Sequence, residues 1–117
     1  MEKVYNIVLE AQLRGIATAR AGFTGAQVDR AARDVISSYG YGQYFGHSFG
    51  HGIGVEIHEG PNLSSLNNNL LPVNAVVSAE PGIYIEGKFG VRIEDMLVLK
   101  ENDNINLTKA DKKLIVL

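Results

Sequence analysis

Every histidine in the chain, His47, His51 and His58, falls in one stretch, HSFGHGIGVEIHEGP. Imidazole is the side chain that ligates metals as a neutral base and changes charge near neutral pH. His47 and His51 are four residues apart, a spacing that puts two ligands on one face of a helix. Gly46, Gly50, Gly52 and Gly54 surround them, however, and each would cost about 1 kcal/mol relative to alanine in a helix interior. Glycines at this density instead let the backbone take positive φ or pass close to a ligand. An incidental surface loop accounts for one such histidine. Three in so short a segment point to a metal or a reacting bond.

Two carboxylates and one guanidinium stand further along. Glu80 closes the apolar run Ala75–Ala79 and precedes Pro81–Gly82. A charge at the end of a buried strand needs a partner, a metal or water. Glu94 lies between Ile93 and Asp95, and the two-residue strand period puts it on the same face as Arg92, roughly 6.5–7 Å away. Taken singly, Glu80 reads as a solvated strand end and Glu94 as an exposed residue with a loose salt-bridge neighbour, which contributes little. Taken together, one imidazole and two carboxylates make a set of N and O ligands for zinc, manganese, cobalt or iron. A further histidine beside the metals could hold a substrate carbonyl or its tetrahedral adduct, and Arg92 could hold a substrate carboxylate bidentately. These parts suit metal-assisted hydrolysis of an amide.

The elements that must position them begin with helices. Over the first twenty residues Val4, Ile7, Val8, Ala11, Leu13 and Ala17 recur at three- and four-residue steps. Thr24 and Gln27 form a capping box for a second helix with an apolar stripe of Val28, Ala31, Ala32, Val35 and Ile36, stopped by Gly40. Asp29 and Asp34 are expected on its polar side. From Tyr41 onward the pattern is β: alternation around Val55 and Ile57, a polar loop NLSSLNNN, a strand AVVSAE, then IYIE and a turn at Glu86–Gly87–Lys88. GVRIEDMLVLK reads as the longest strand and ENDN as its end. The segment LTKADKKLIVL reads as a helical turn capped by Thr108 and a final strand. Two helices followed by a mostly antiparallel curved sheet is an α+β arrangement.

Composition sets the outer bounds. A chain of 117 residues with 45% hydrophobic and 21% charged content is an ordinary globular protein. A net charge of -2 gives no argument for nucleic acid or an anionic membrane. The absence of cysteine excludes disulfides and thiolate sites, and the charged N-terminus resembles neither a signal peptide nor a membrane span, so the cytoplasm is the expected compartment.

GHGIGVEIHEGP, AEPGIY and GVRIEDMLVL, in that order, resemble the successive motifs of the pita-bread metallopeptidases, the family of methionine aminopeptidase, aminopeptidase P and prolidase. TGAQVDRAARDVISSYGYGQYFGHSFGHG resembles the proline-specific branch most closely. The resemblance implies that His51, Glu80 and Glu94 are metal ligands, Glu80 also shuttling the proton and Glu94 bridging two ions. It implies that His58 assists at the scissile bond, and that His47 and Arg92 line the substrate site. The implied activity is Xaa-Pro peptide hydrolysis by a hydroxide activated between two divalent metals, with manganese favoured over cobalt, zinc or iron. The implied partner is a short peptide containing proline.

Family members use five ligands, and the other two are aspartates upstream of this region. None of Asp29, Asp34, Asp95, Asp103 and Asp111 stands in that motif. Residues 1–117 are therefore expected to be the C-terminal half of a pita-bread catalytic domain, with an incomplete metal site and little activity alone. Half a fold should expose an apolar face, so a homo-oligomer is expected. A metal-free interaction module and a creatinase-type amidinohydrolase on the same fold are the alternatives.

Overall fold

The computed structural model describes residues 2–52 and 62–108. Helix α1 spans Glu2–Thr18 and buries Val4, Ile7, Val8, Ala11, Gln12 and Gly15, one stripe at three- and four-residue steps. Leu13 and Ala17 do not belong to that stripe. Both are exposed, Leu13 by 50%, because at about 100° per residue they lie on the opposite side from Val4. Gln12 takes the core position beside Ala11 instead, fully buried.

Helix α2 spans Gly25–Ser38, and its capping box is formed as expected. The Gln27 amide donates to Thr24 Oγ1 at 3.1 Å, and Gln27 Oε1 accepts from the Thr24 amide at 2.7 Å. The helix stops in a Schellman motif. Gly40 has φ +87°, its amide donates to Ser37 O at 2.9 Å, and the Tyr41 amide donates to Ile36 O at 3.1 Å. Asp29 departs from expectation: it is fully buried on the core side of α2.

Among the described residues the β structure falls into three antiparallel sheets rather than one. Strand β1 (Gly50–His51) pairs with β2 (Asn62–Leu63). Strand β3 (Val76–Ala79) pairs with β6 (Asp95–Leu99), which pairs with β7 (Asn104–Asn106). Strand β4 (Gly82–Ile85) pairs with β5 (Phe89–Arg92). A bridge between Gly52 and Val77 ties the first ladder to the second. The two helices pack on each other, α1 also against β3, β4 and β5 and α2 against β2, and Val77, Ala79, Leu97 and Leu99 join Val8, Ala11, Val28, Ile36 and Phe49 in one core.

The expected long strand through GVRIEDMLVLK is interrupted at Ile93–Glu94, so Glu94 lies between β5 and β6 rather than mid-strand. Pro81, which has no N–H to give a ladder, lies across the gap. The register runs through continuously: Ala79 faces Asp95 before the break and Gly82 faces Arg92 after it. Glu80 therefore lies opposite Glu94, and Pro81 opposite Ile93, whose amide donates to Pro81 O at 3.4 Å. The chain end also departs from expectation. Asn104–Asn106 form β7, and Thr108 Oγ1 accepts from the Met96 amide at 2.8 Å, while the expected helical turn after Thr108 lies outside the described residues. The expected strand around Val55 and Ile57 and the final apolar strand lie outside the described residues.

Candidate metal centre

His51 reaches the site through close contact between β1 and β3. Its backbone amide donates to Ser78 Oγ at 3.0 Å, and the fully buried Ser78 sits mid-strand to receive it. Gly50 makes the approach possible, since a Cβ there would collide with the Ser78 carbonyl oxygen. The Glu80 amide donates to Phe49 O at 2.7 Å, so the histidine segment and the first glutamate share one backbone anchor.

The His51 side chain is 56% exposed, and its Nδ1 lies 3.0 Å from Gly52 O. A carbonyl only accepts, so Nδ1 carries a hydrogen, and in the neutral ring Nε2 is the nitrogen with the lone pair. That lone pair faces Glu80 Oε2 at 3.8 Å, beyond hydrogen-bond length. A ring nitrogen donated to a backbone carbonyl, with the other left bare, is the arrangement a metal-ligating histidine takes.

Glu80 and Glu94 lie opposite each other across the break in the ladder, and each carboxyl perturbs the other. Burial works to raise the pKa of Glu80, but hydrogen bonds from Glu94 and Ser78 and the charges of His51 and Arg92 outweigh it, and the net shift is downward. The pKa of Glu94 moves up, first through its hydrogen bond to Glu80, then through burial and the charge of Glu80. Two carboxyls this close compete for one proton, which is why the two shifts run in opposite directions. Arg92 and Glu94 are both exposed with Ile93 turned inward between them, and the Arg92 charge favours both carboxylates.

The donor chemistry fits a divalent ion: a bare imidazole nitrogen and two carboxylates crowded enough to share a proton, which a cation would replace. The set falls short of a cage. Among the described residues no group of three or more His, Asp or Glu side chains is drawn together closely enough to hold an ion.

His47 stands apart from these ligands. Its Nδ1 lies 2.8 Å from Ser48 O, which assigns the hydrogen there, and its Nε2 accepts from Tyr84 Oη at 3.2 Å. Below it, Arg33 donates to the carbonyls of Phe45 and His47, each at 2.9 Å, and pairs with Asp29 at 2.8 Å. Asp29 Oδ2 in turn accepts the Phe49 amide at 3.0 Å. A charge pair on α2 therefore holds the loop that carries His47 and leads into His51. His58 lies outside the described residues.

Sequence reasoning missed Gln12, Asp29, Arg33, Ser78 and Tyr84. Asp29 and Arg33 carried a signal, being an acid and a base one helical turn apart. Ser78 and Gln12 carried a weaker one, as polar residues inside apolar patterns. Tyr84 carried none.

A family model described as metallopeptidase family M24 matches residues 1–101. An uncharacterized peptidase of Bacillus subtilis is 47% identical over 117 residues, all of this chain and 33% of that relative. A solved Xaa-Pro dipeptidase from Bacillus anthracis superposes with a TM-score of 0.94 at 52% identity, over 99% of this chain and 33% of that one. An X-Pro aminopeptidase from Thermotoga maritima gives 0.93 at 52% identity, over 98% and 32%. The chain thus spans about a third of the length of the relatives it matches.

Proposed function

This chain belongs to metallopeptidase family M24, and from that premise we propose that it is the C-terminal half of a pita-bread catalytic domain whose longer protein hydrolyses Xaa-Pro peptide bonds. The observation that carries the reading is the succession of three donors from separate segments, with His51 Nε2 at 3.8 Å from Glu80 and Glu80 opposite Glu94 across the break in the ladder. The names of the similar proteins from Bacillus anthracis and Thermotoga maritima supply the bond type.

His51, Glu80 and Glu94 would hold two divalent ions, manganese being the one expected, together with two aspartates from outside this chain. Ions bound there supply the Lewis acidity that makes water nucleophilic near neutral pH. Glu80, ionised in the free site, takes the proton from the attacking water and returns it to the leaving imino nitrogen. His58 steadies the oxyanion. His47 lines the substrate pocket, and Arg92 pairs with the peptide carboxylate. The substrate is a short peptide with proline after the scissile bond. The protein works in the cytoplasm, consistent with its lack of cysteine, and assembles as a homo-oligomer.

The isolated chain is inactive on this reading, because its ligand set is incomplete. The test is an assay of the longer protein on an Xaa-Pro dipeptide with Mn²⁺, beside the 117-residue chain. Cleavage by the longer protein, lost with chelator and in Glu80→Ala, is the expected result. Robust Mn²⁺- or Co²⁺-dependent cleavage by the pure chain would overturn the half-site, and no cleavage by the longer protein would overturn the activity. In that last case a metal-free interaction module is the second reading, favoured by the lack of a three-donor cluster among the described residues.

A further inference from the structure

Gln12 is a fully buried amide in the middle of α1, an unusual place for a side chain with four hydrogen-bonding positions. Its Nε2 donates to Ala79 O at 3.2 Å and to Ile93 O at 3.3 Å, one bond for each N–H. Two carbonyls around one atom fix which end of the amide is nitrogen, since an oxygen there would face two acceptors. Ala79 immediately precedes Glu80, and Ile93 immediately precedes Glu94. Both carbonyls belong to the place where the hairpin changes ladders, between the β3–β6 and β4–β5 pairings. The other end of the amide, Oε1, is buried and accepts no hydrogen bond among the described residues. An apolar residue would avoid that cost, which is typically about 1–3 kcal/mol. The amide's contribution is therefore concentrated in the two donated bonds.

We propose that Gln12 is a positioning residue for the candidate metal centre: it staples the backbone before Glu80 to the backbone before Glu94 and so fixes the separation of the two carboxylates. Where a regular ladder would set that separation by paired hydrogen bonds, the break leaves only the long one from the Ile93 amide to Pro81 O, since Pro81 has no N–H to return it, and the α1 amide supplements it. The helix thereby becomes part of the site without contacting substrate or metal. This assignment rests on the reading of Glu80 and Glu94 as a paired site, and its test separates the two.

The experiment is NMR on the 117-residue chain with the carboxyl carbons of glutamate labelled. In metal-free protein, Glu94→Gln shifts the Glu80 carboxyl signal because the two carboxyls are neighbours across the break. In a Gln12→Met background, which keeps the volume and removes both donors, that response is lost. Val8→Ala, in the same helix with an equally buried residue, lowers stability but leaves the response in place, which a merely structural role for Gln12 would not predict. Sub-stoichiometric Mn²⁺ then broadens both glutamate signals together in the wild type and unequally in Gln12→Met. An unchanged response in folded Gln12→Met, or equal loss in Val8→Ala, overturns the proposal. If Gln12→Met does not fold, the wild type decides: couplings across hydrogen bonds from Gln12 Nε2 to the Ala79 and Ile93 carbonyl carbons support the staple, and their absence refutes it. A wild type whose glutamate signals Mn²⁺ never broadens refutes the metal reading and leaves the metal-free response to decide the staple.

Discussion

Glu80 and Glu94 are shifted in opposite directions from the ordinary value of 4.5, and each direction has its own consequence for stability. Glu80 is lowered, so the stability it contributes is present above 4.5 and is lost as pH falls through its folded value. Glu94 is raised, so its contribution is present below 4.5 and is lost as pH rises through its folded value. In metal-free protein the pair thus favours the region around 4.5 and weakens on both sides. Glu94→Gln removes the upper limb: urea midpoints measured across a pH series should no longer decline through the range just above 4.5, while the acid-side decline remains. An unchanged pH profile in the variant would show that the two carboxylates do not share a proton. At this scale the sequence was partly legible. Imidazole, carboxylate and guanidinium announce their chemistry by type; His51 lies 3.8 Å from Glu80 and Glu80 opposite Glu94, without closing into a three-donor group among the described residues, and His47 is held separately against Tyr84. Gln12, Ser78 and Asp29 act through partners far along the chain, and a local pattern of polar and apolar residues does not encode such partners.

Among the elements, the helices were the most readable, because capping boxes and three-to-four-residue stripes are local rules that the finished fold obeys. The hairpin was read as one strand too many residues long. Hydrophobic alternation continues through the break, while Pro81 withdraws the donor that would have kept the ladder intact. The contact of β1 with β3 is tighter still and depends on one residue type. Gly50→Ala would place a methyl group against the Ser78 carbonyl, and backbone cannot swing aside as a flexible side chain can. The expected cost is about 1–3 kcal/mol, by the magnitude of overpacking in a filled interior. The check is a denaturant midpoint, together with loss of the amide protection that His51 gains from Ser78. An alanine variant as stable as wild type would mean the two strands do not approach as described. Gly15 has the same role under the Phe49 ring, which α1 accommodates only because that position has no side chain.

For the whole molecule, the sheet face turned away from the helices remains apolar. Met96 is 41% exposed, Ile105 51% and Leu107 47%, neighbours across β6 and the strand that follows. Exposed clusters of this kind mark surfaces that another chain or segment covers. Light scattering should find that the chain self-associates as concentration rises, and Ile105→Lys should shift it toward monomer. A monomer at high concentration in both proteins would remove the case for a homo-oligomer. The fold class was legible from element order alone, whereas the division into three sheets among the described residues was not, since register and strand breaks depend on which segments meet. The central claim is that the chain carries part of a dimetal site and not the whole. Calorimetric titration of Mn²⁺ into the purified 117-residue chain, repeated with Glu80→Ala, tests it directly. Weak uptake with no tight pair of ions is the predicted result. Two tightly bound ions per chain, abolished by Glu80→Ala, would contradict it and mean that a complete site forms without the upstream aspartates.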